Sequence, residues 1–165
     1  MLNKHHQIII FFATICGLNL CNLPIQSQEI FGSPTLKPNF SPDEKILTGV
    51  SGGKSEASAI TGIKNTQTGP CNGYVNKEGG HKLILTETFK YLSLMVEVAK
   101  NEPEPEDDLT LIVTSKWGTW CNDEYTGRGK NPGIAGKWIQ GEYQIWVGSY
   151  KENKTLPYKI TITEK

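Results

Sequence analysis

Residues 108–150 read DLTLIVTSKWGTWCNDEYTGRGKNPGIAGKWIQGEYQIWVGSY, and this stretch decides the fold. Asp108-Leu109-Thr110-Leu111 opens a strand, Trp117-Gly118 marks a tight turn, and Cys121-Asn122-Asp123-Glu124 forms an acidic strand end. A Gly-rich loop then runs to Asn131-Pro132, and another strand spans Gly141 to Tyr150. These pieces follow one another too closely to leave room for a helix. The pattern predicts the edge of an extracellular β-sandwich that carries a cluster of oxygen ligands.

The period of two extends outward from this stretch. Leu109, Leu111 and Val113 alternate with Thr110, Ile112 and Thr114, while Tyr143, Ile145 and Val147 alternate with Gln144, Trp146 and Gly148. Upstream, Leu83 and Leu85 alternate with Ile84 and Thr86, and Leu92, Leu94, Val96 and Val98 lie opposite Tyr91, Ser93, Met95 and Glu97. Downstream, Tyr158, Ile160 and Ile162 alternate with Lys159, Thr161 and Thr163. One apolar face and one mixed face are what antiparallel strands with a single buried side present. No segment sustains a 3.6-residue apolar period, so helix content should be very low. The expected architecture is all-β, a jelly-roll-like antiparallel β-sandwich of about eight strands. Its core should draw on Leu83, Leu85, Leu92, Leu94, Val96, Leu109, Leu111, Val113, Tyr143, Ile145, Val147, Ile160 and Ile162. Between strands, Asn101 to Asp108 is an acidic, Pro-spaced, solvated connection, and Tyr125 to Gly136 is a flexible or tightly turned Gly-rich loop. Ser51 to Gly69 is rich in Gly, Ser and Thr and leaves room for one short strand.

The N-terminus reads as a targeting segment. Lys4, His5 and His6 precede an apolar run from Ile8 to Leu20, and Ile25-Gln26-Ser27 offers a small residue at a cleavage position. That run is shorter than the about 20 apolar residues of a membrane helix, so residues 1–27 are expected to be a removed signal peptide. A retained anchor is the alternative. Leu20 before Cys21 and Ile15 before Cys16 stand where a lipobox wants Gly, Ala or Ser, which argues against lipidation. Residues 28–44, with Pro34, Pro38 and Pro42, form a linker or a strap, and 45–165 a single sandwich domain with no further membrane-length apolar run.

Cleavage would leave Cys71 and Cys121, and two cysteines in an oxidising compartment suggest one disulfide. Closing a loop of about 50 residues contributes about 4 kcal/mol in the chain-entropy account. No Cys or His adjoins either one to suggest zinc. Only Lys4 of the 17 Lys and Arg residues lies in the leader, against 17 Asp and Glu. Without a basic excess to meet phosphate backbones, nucleic acid is not an expected partner.

Taken in order, Asp108 and Leu111, Gly118, Asn122-Asp123-Glu124, Asn131 and the run Gly141 to Tyr150 resemble the pre-peptidase C-terminal domain. This β-sandwich module is appended to many secreted bacterial proteases and is similar in plan to bacterial collagen-binding domains. The resemblance covers roughly the last 95 residues, reaching back to Cys71-Asn72-Gly73-Tyr74 and forward to Thr163. Glu124 stands where the family has a second Asp, and no peptidase domain precedes the module within this sequence. The resemblance implies an accessory role, and it implies calcium for some relatives.

Asp107, Asp108, Asn122, Asp123 and Glu124 would meet at one end of the sheet if the turn at Lys116-Trp117-Gly118 folds the chain back. Carboxylates gathered in this way need a cation, backbone N–H groups or a proton to relieve their repulsion. A structural calcium ion would do so, taking six to eight oxygens. The same residues serve equally as Asx-type turn caps that bind nothing.

Trp117, Trp120, Trp138 and Trp146, with Tyr125 and Tyr150 nearby, could stack on sugar rings or grip an extended peptide, and Trp117, Trp120, Tyr125 and Trp146 are the ligand-binding candidates. They could instead plug the open ends of the sandwich. Trp117, at the turn tip, should be exposed. Catalysis has little support, because His81 is the one histidine beyond the leader and no nucleophile elbow is present. Ser51-Gly52-Gly53-Lys54-Ser55 lacks the spacing and the helix of a phosphate loop. The expected function is a non-catalytic secreted or periplasmic module that binds a protein or a cell-surface polymer. The alternative is a trans-acting inhibitor or chaperone-like partner of a secreted protease.

Overall fold

The computed structural model describes residues 32–165. The signal-peptide expectation for 1–27, with Cys16 and Cys21, lies outside the described residues. In chain order the elements are β1 (Thr35–Leu36), β2 (Glu44–Val50), β3 (Ser55–Glu56), α1 (Ala57–Thr61), β4 (Asn65–Thr66), β5 (Gly69–Pro70) and β6 (Tyr74–Val75). They continue with β7 (His81–Leu85), β8 (Phe89–Val98), β9 (Leu109–Ser115), β10 (Gly118–Asn122), β11 (Gly133–Trp138), β12 (Gly141–Ser149) and β13 (Pro157–Glu164). Eight of these strands have five or more residues, in line with the expected count.

The eight long strands divide into two antiparallel layers. One runs β7-β12-β9-β10, with β1 parallel to β7 and the short β6 and β3 beside the end of β12. The other runs β11-β8-β13-β2. All thirteen expected core residues are buried between the layers. Phe89, Trp138, Tyr158, Leu36, Leu47, Ile134 and Leu156 complete the core. Among the described residues, no helix is long and apolar enough to cross a membrane.

Three segments differ from the sequence expectation. First, Ser51 to Gly69 holds a five-residue helix, α1, closed by Gly62 in the left-handed conformation (φ 73°) with its N–H on Ser58 O. With β3 and β6 it covers the outer face of the first layer. Ala57, Val75, Ile112 and the Cys71–Cys121 disulfide form a second, smaller core there. Ile112, on the mixed face by sequence, is therefore buried like its neighbours.

Second, the Gly-rich loop ends earlier than Gly136, because Gly133 to Trp138 pairs with β8 as an edge strand. Third, Asp107 is buried, although the acidic connection before it is exposed as expected. The strap from Gly32 onward lies along the edge of β7, where Pro34 O accepts the Ile84 N–H at 2.9 Å and Leu36 is buried.

Candidate functional site

The turn at Lys116-Trp117 folds β10 back on β9, and the register Asn122↔Leu111 returns Asn122 to Glu124 to the end where β9 begins. Four of the five acidic-end candidates contact protein groups there, although Asp108 Oδ1 is buried without a hydrogen-bond partner. Asp107 has a side chain only 2 % exposed, and Lys100 touches its Oδ2. The Glu104 N–H donates to that oxygen at 2.8 Å, and Lys154 Nζ lies 3.0 Å from Oδ1. Led by Lys100, these groups hold the carboxyl well below the usual carboxylate range. Asp108 moves the other way: burial pushes it up, Glu124 and Asp123 add to the rise, and Lys130 at 3.6 Å opposes it.

Asn122 spends both ends of its amide inside the protein. Its Nδ2 donates to Thr68 O (2.9 Å) and Glu124 O (3.2 Å), and its Oδ1 accepts the Gly133 N–H at 2.9 Å. Asp123 Oδ2 accepts from Asn72 Nδ2 at 2.8 Å. The Glu124 side chain is exposed. Ammonium groups and amides take up much of this oxygen set, of which a calcium ion needs six to eight. Among the described residues, no three His, Cys, Asp or Glu side chains gather as a metal site requires.

The aromatic candidates separate into three places. Trp117 is 49 % exposed at the turn tip, donates Nε1 to Gln140 O at 3.1 Å, and carries Lys116 Nζ 4.6 Å above its ring. Gly141 opposite it has φ 153°, and a Cβ there would lie 3.2 Å from the indole nitrogen. Trp120 packs on Tyr143 with centroids 6.2 Å apart, and Trp138 packs on the same ring at 5.0 Å. The Tyr143 hydroxyl donates to Ile139 O at 2.6 Å, and burial pushes its pKa up. Together these four rings line a cavity of about 170 Å³ between the two layers, with Ile134, Ile139, Lys137 and Thr68.

Trp146 lies elsewhere, packed on the small core beside Ile112, with Nε1 donating to Lys77 O at 3.4 Å. Tyr125 stands beside Tyr91 and Arg128 over the outer face of the second layer. The sequence placed Tyr143 in the core and Trp138 in the aromatic set but not among the ligand-binding candidates. Their shared wall was not visible, because one ring system can serve core and cavity at once.

His81 is the fully buried first residue of β7. Its Nε2 lies 2.8 Å from the Tyr158 hydroxyl and its Nδ1 3.3 Å from Gly32 O, and burial lowers its pKa. The loop after Glu124 is tightly turned: the Tyr125 N–H donates to Asn131 O at 3.1 Å and the Arg128 N–H to Tyr125 O at 2.9 Å.

No family model and no curated protein matches the chain. Among solved structures, the chain is similar to the pre-peptidase C-terminal domain of collagenase from Bacillus anthracis. That likeness has 9 % identity and a TM-score of 0.45, and it covers 80 % of this chain and 94 % of that one.

Proposed function

We propose that the protein is a non-catalytic, secreted or periplasmic binding module whose ligand is a protein or a cell-surface polymer. The observation that carries this reading is the aromatic cavity, lined by Trp117, Trp120, Trp138 and Tyr143 at an open edge of the sandwich. Such rings offer much apolar contact area at small entropic cost, which suits recognition. The Cys71–Cys121 disulfide supports an oxidising compartment. A binding role is favoured over a catalytic one because the imidazole of His81 is buried against Tyr158. Calcium forms no part of this reading.

Affinity capture tests it. The exported protein should be retained by purified cell-wall material or by a protein partner, and Trp117→Ala should lose most of that retention. Hydrolysis of peptide or glycoside substrates that disappears in His81→Ala would replace the reading with an enzymatic one. The alternative, a trans-acting partner of a secreted protease, draws on the hydrogen-bonded loop from Tyr125 to Asn131. It requires a protease to co-purify and to be released by changes in that loop.

A further inference from the structure

The aromatic cavity sits where neither layer is closed. β10 pairs only with β9, and β11 only with β8, so both are edge strands. At one end Asn122 Oδ1 accepts the Gly133 N–H at 2.9 Å and clamps the two edges together. At the other end, toward Trp117 and Trp138, the cavity opens between them. Main-chain groups face this cleft. Pro132 O accepts the Val96 N–H at 2.9 Å, so Pro132 points toward β8, while the Gly133 N–H points away to Asn122. Alternation along an antiparallel strand then aims the N–H and C=O of Ala135 away from β8 as well. Ala135 is itself part of the cavity wall. Beyond it the register shifts between Gly136 and Trp138, which takes Lys137 out of the ladder.

Size and charge describe the occupant. A cavity of about 170 Å³ is close to the apolar cavity of about 150 Å³ that accepts benzene, so it holds one aromatic or large aliphatic side chain. Lys137 is exposed on the rim, and Lys116 lies over Trp117. Among the described residues neither lysine joins an ion pair, and no carboxylate lines the cavity. The rim therefore carries positive charge that complements an acidic ligand.

We propose that this cleft takes an extended segment of a partner protein as a strand added to the free edge of β11. A large apolar side chain fills the tryptophan cavity, and an Asp or Glu within two residues of it meets Lys137 and Lys116. The inference rests on the binding-module reading and names its ligand class. A neutral sugar could stack on the indoles but would leave the edge amides and both ammonium groups unanswered.

The test pans the disulfide-intact protein against a random seven-residue peptide display library, with purified cell-wall polymer assayed in parallel. Selected peptides should combine Phe, Tyr, Trp or Leu with a nearby Asp or Glu. Their synthetic forms should shift the Ala135 amide and the Trp117 indole resonances. Binding should weaken roughly tenfold in Trp117→Ala and again in Lys137→Glu. Both changes fall on exposed side chains, and a melt of each variant confirms that it folds. Selection of no peptide, or of peptides indifferent to both variants, overturns the proposal. If the polymer is retained while no peptide is selected, this inference falls and the binding-module reading stands. If neither is retained, both fall.

Discussion

Asp107 is tolerated in a buried position because three donors meet its charge: Lys100, Lys154 and the Glu104 N–H. Its carboxyl is held low in the folded chain, so folding favours the ionised form. That stabilisation is fully present above the ordinary carboxylate value of about 3.9 and is lost as pH falls through the lower folded value. Asp107→Ala should therefore lower the melting midpoint at pH 7 and flatten its fall below pH 4, while Glu124→Ala at the exposed position should do neither. His81 has the opposite chemistry with the same sign. Burial lowers its pKa, so the unfolded chain takes up a proton that the folded chain refuses. Stability should then fall as pH drops below about 6.5, the ordinary histidine value. Urea unfolding between pH 7.5 and 5.5 checks this, and His81→Gln should reduce the slope. Of these two residues, the sequence marked Asp107 as a candidate ligand and His81 only as the one histidine beyond the leader. It named no partners for either, because those come from other connections in the fold.

Among the elements, β8, β9, β12 and β13 were legible because each sets one apolar face against one mixed face. β11 was not. Gly133-Ile134-Ala135-Gly136 offers little side chain and no alternation, so the strand owes its place to β8 and to Asn122. A Cβ at Gly133 would meet Met95 Sδ, so a larger residue there would have to push that flexible side chain aside. Asn122→Ala would orphan the buried Gly133 N–H, and a loss of about 1–3 kcal/mol is expected from urea unfolding. The covering segment of α1, β4 and β5 is tied to β10 by the disulfide and by Thr66 and Thr68, whose hydroxyls bond to Cys121 backbone groups. Reduction of Cys71–Cys121 should cost about 2–4 kcal/mol and should expose the amides of residues 57–71 to hydrogen exchange first.

For the whole molecule, the ends of the sandwich differ in chemistry. One is acidic and neutralised by Lys100, Lys130 and Lys154; the other is aromatic, open and rimmed by Lys116 and Lys137. Because an ion that binds only the folded state must raise its stability, calcium provides a global test. Millimolar calcium and excess EDTA should give the same melting midpoint. A calcium-dependent rise that Asp123→Ala abolishes would instead place a cation among the strand ends. By itself the sequence determined one apolar face on each alternating strand, the thirteen core positions and the disulfide. Alternation is a local property, and Cys71 and Cys121 have only one pairing with each other. Only the tertiary structure decided which side chains share a surface. Trp117 lies on a turn, Trp120, Trp138 and Tyr143 lie on three different strands, and the lysines that meet the acidic end stand on separate connections. Such groupings depend on how edges and loops are brought together across the two layers, and no local period records that.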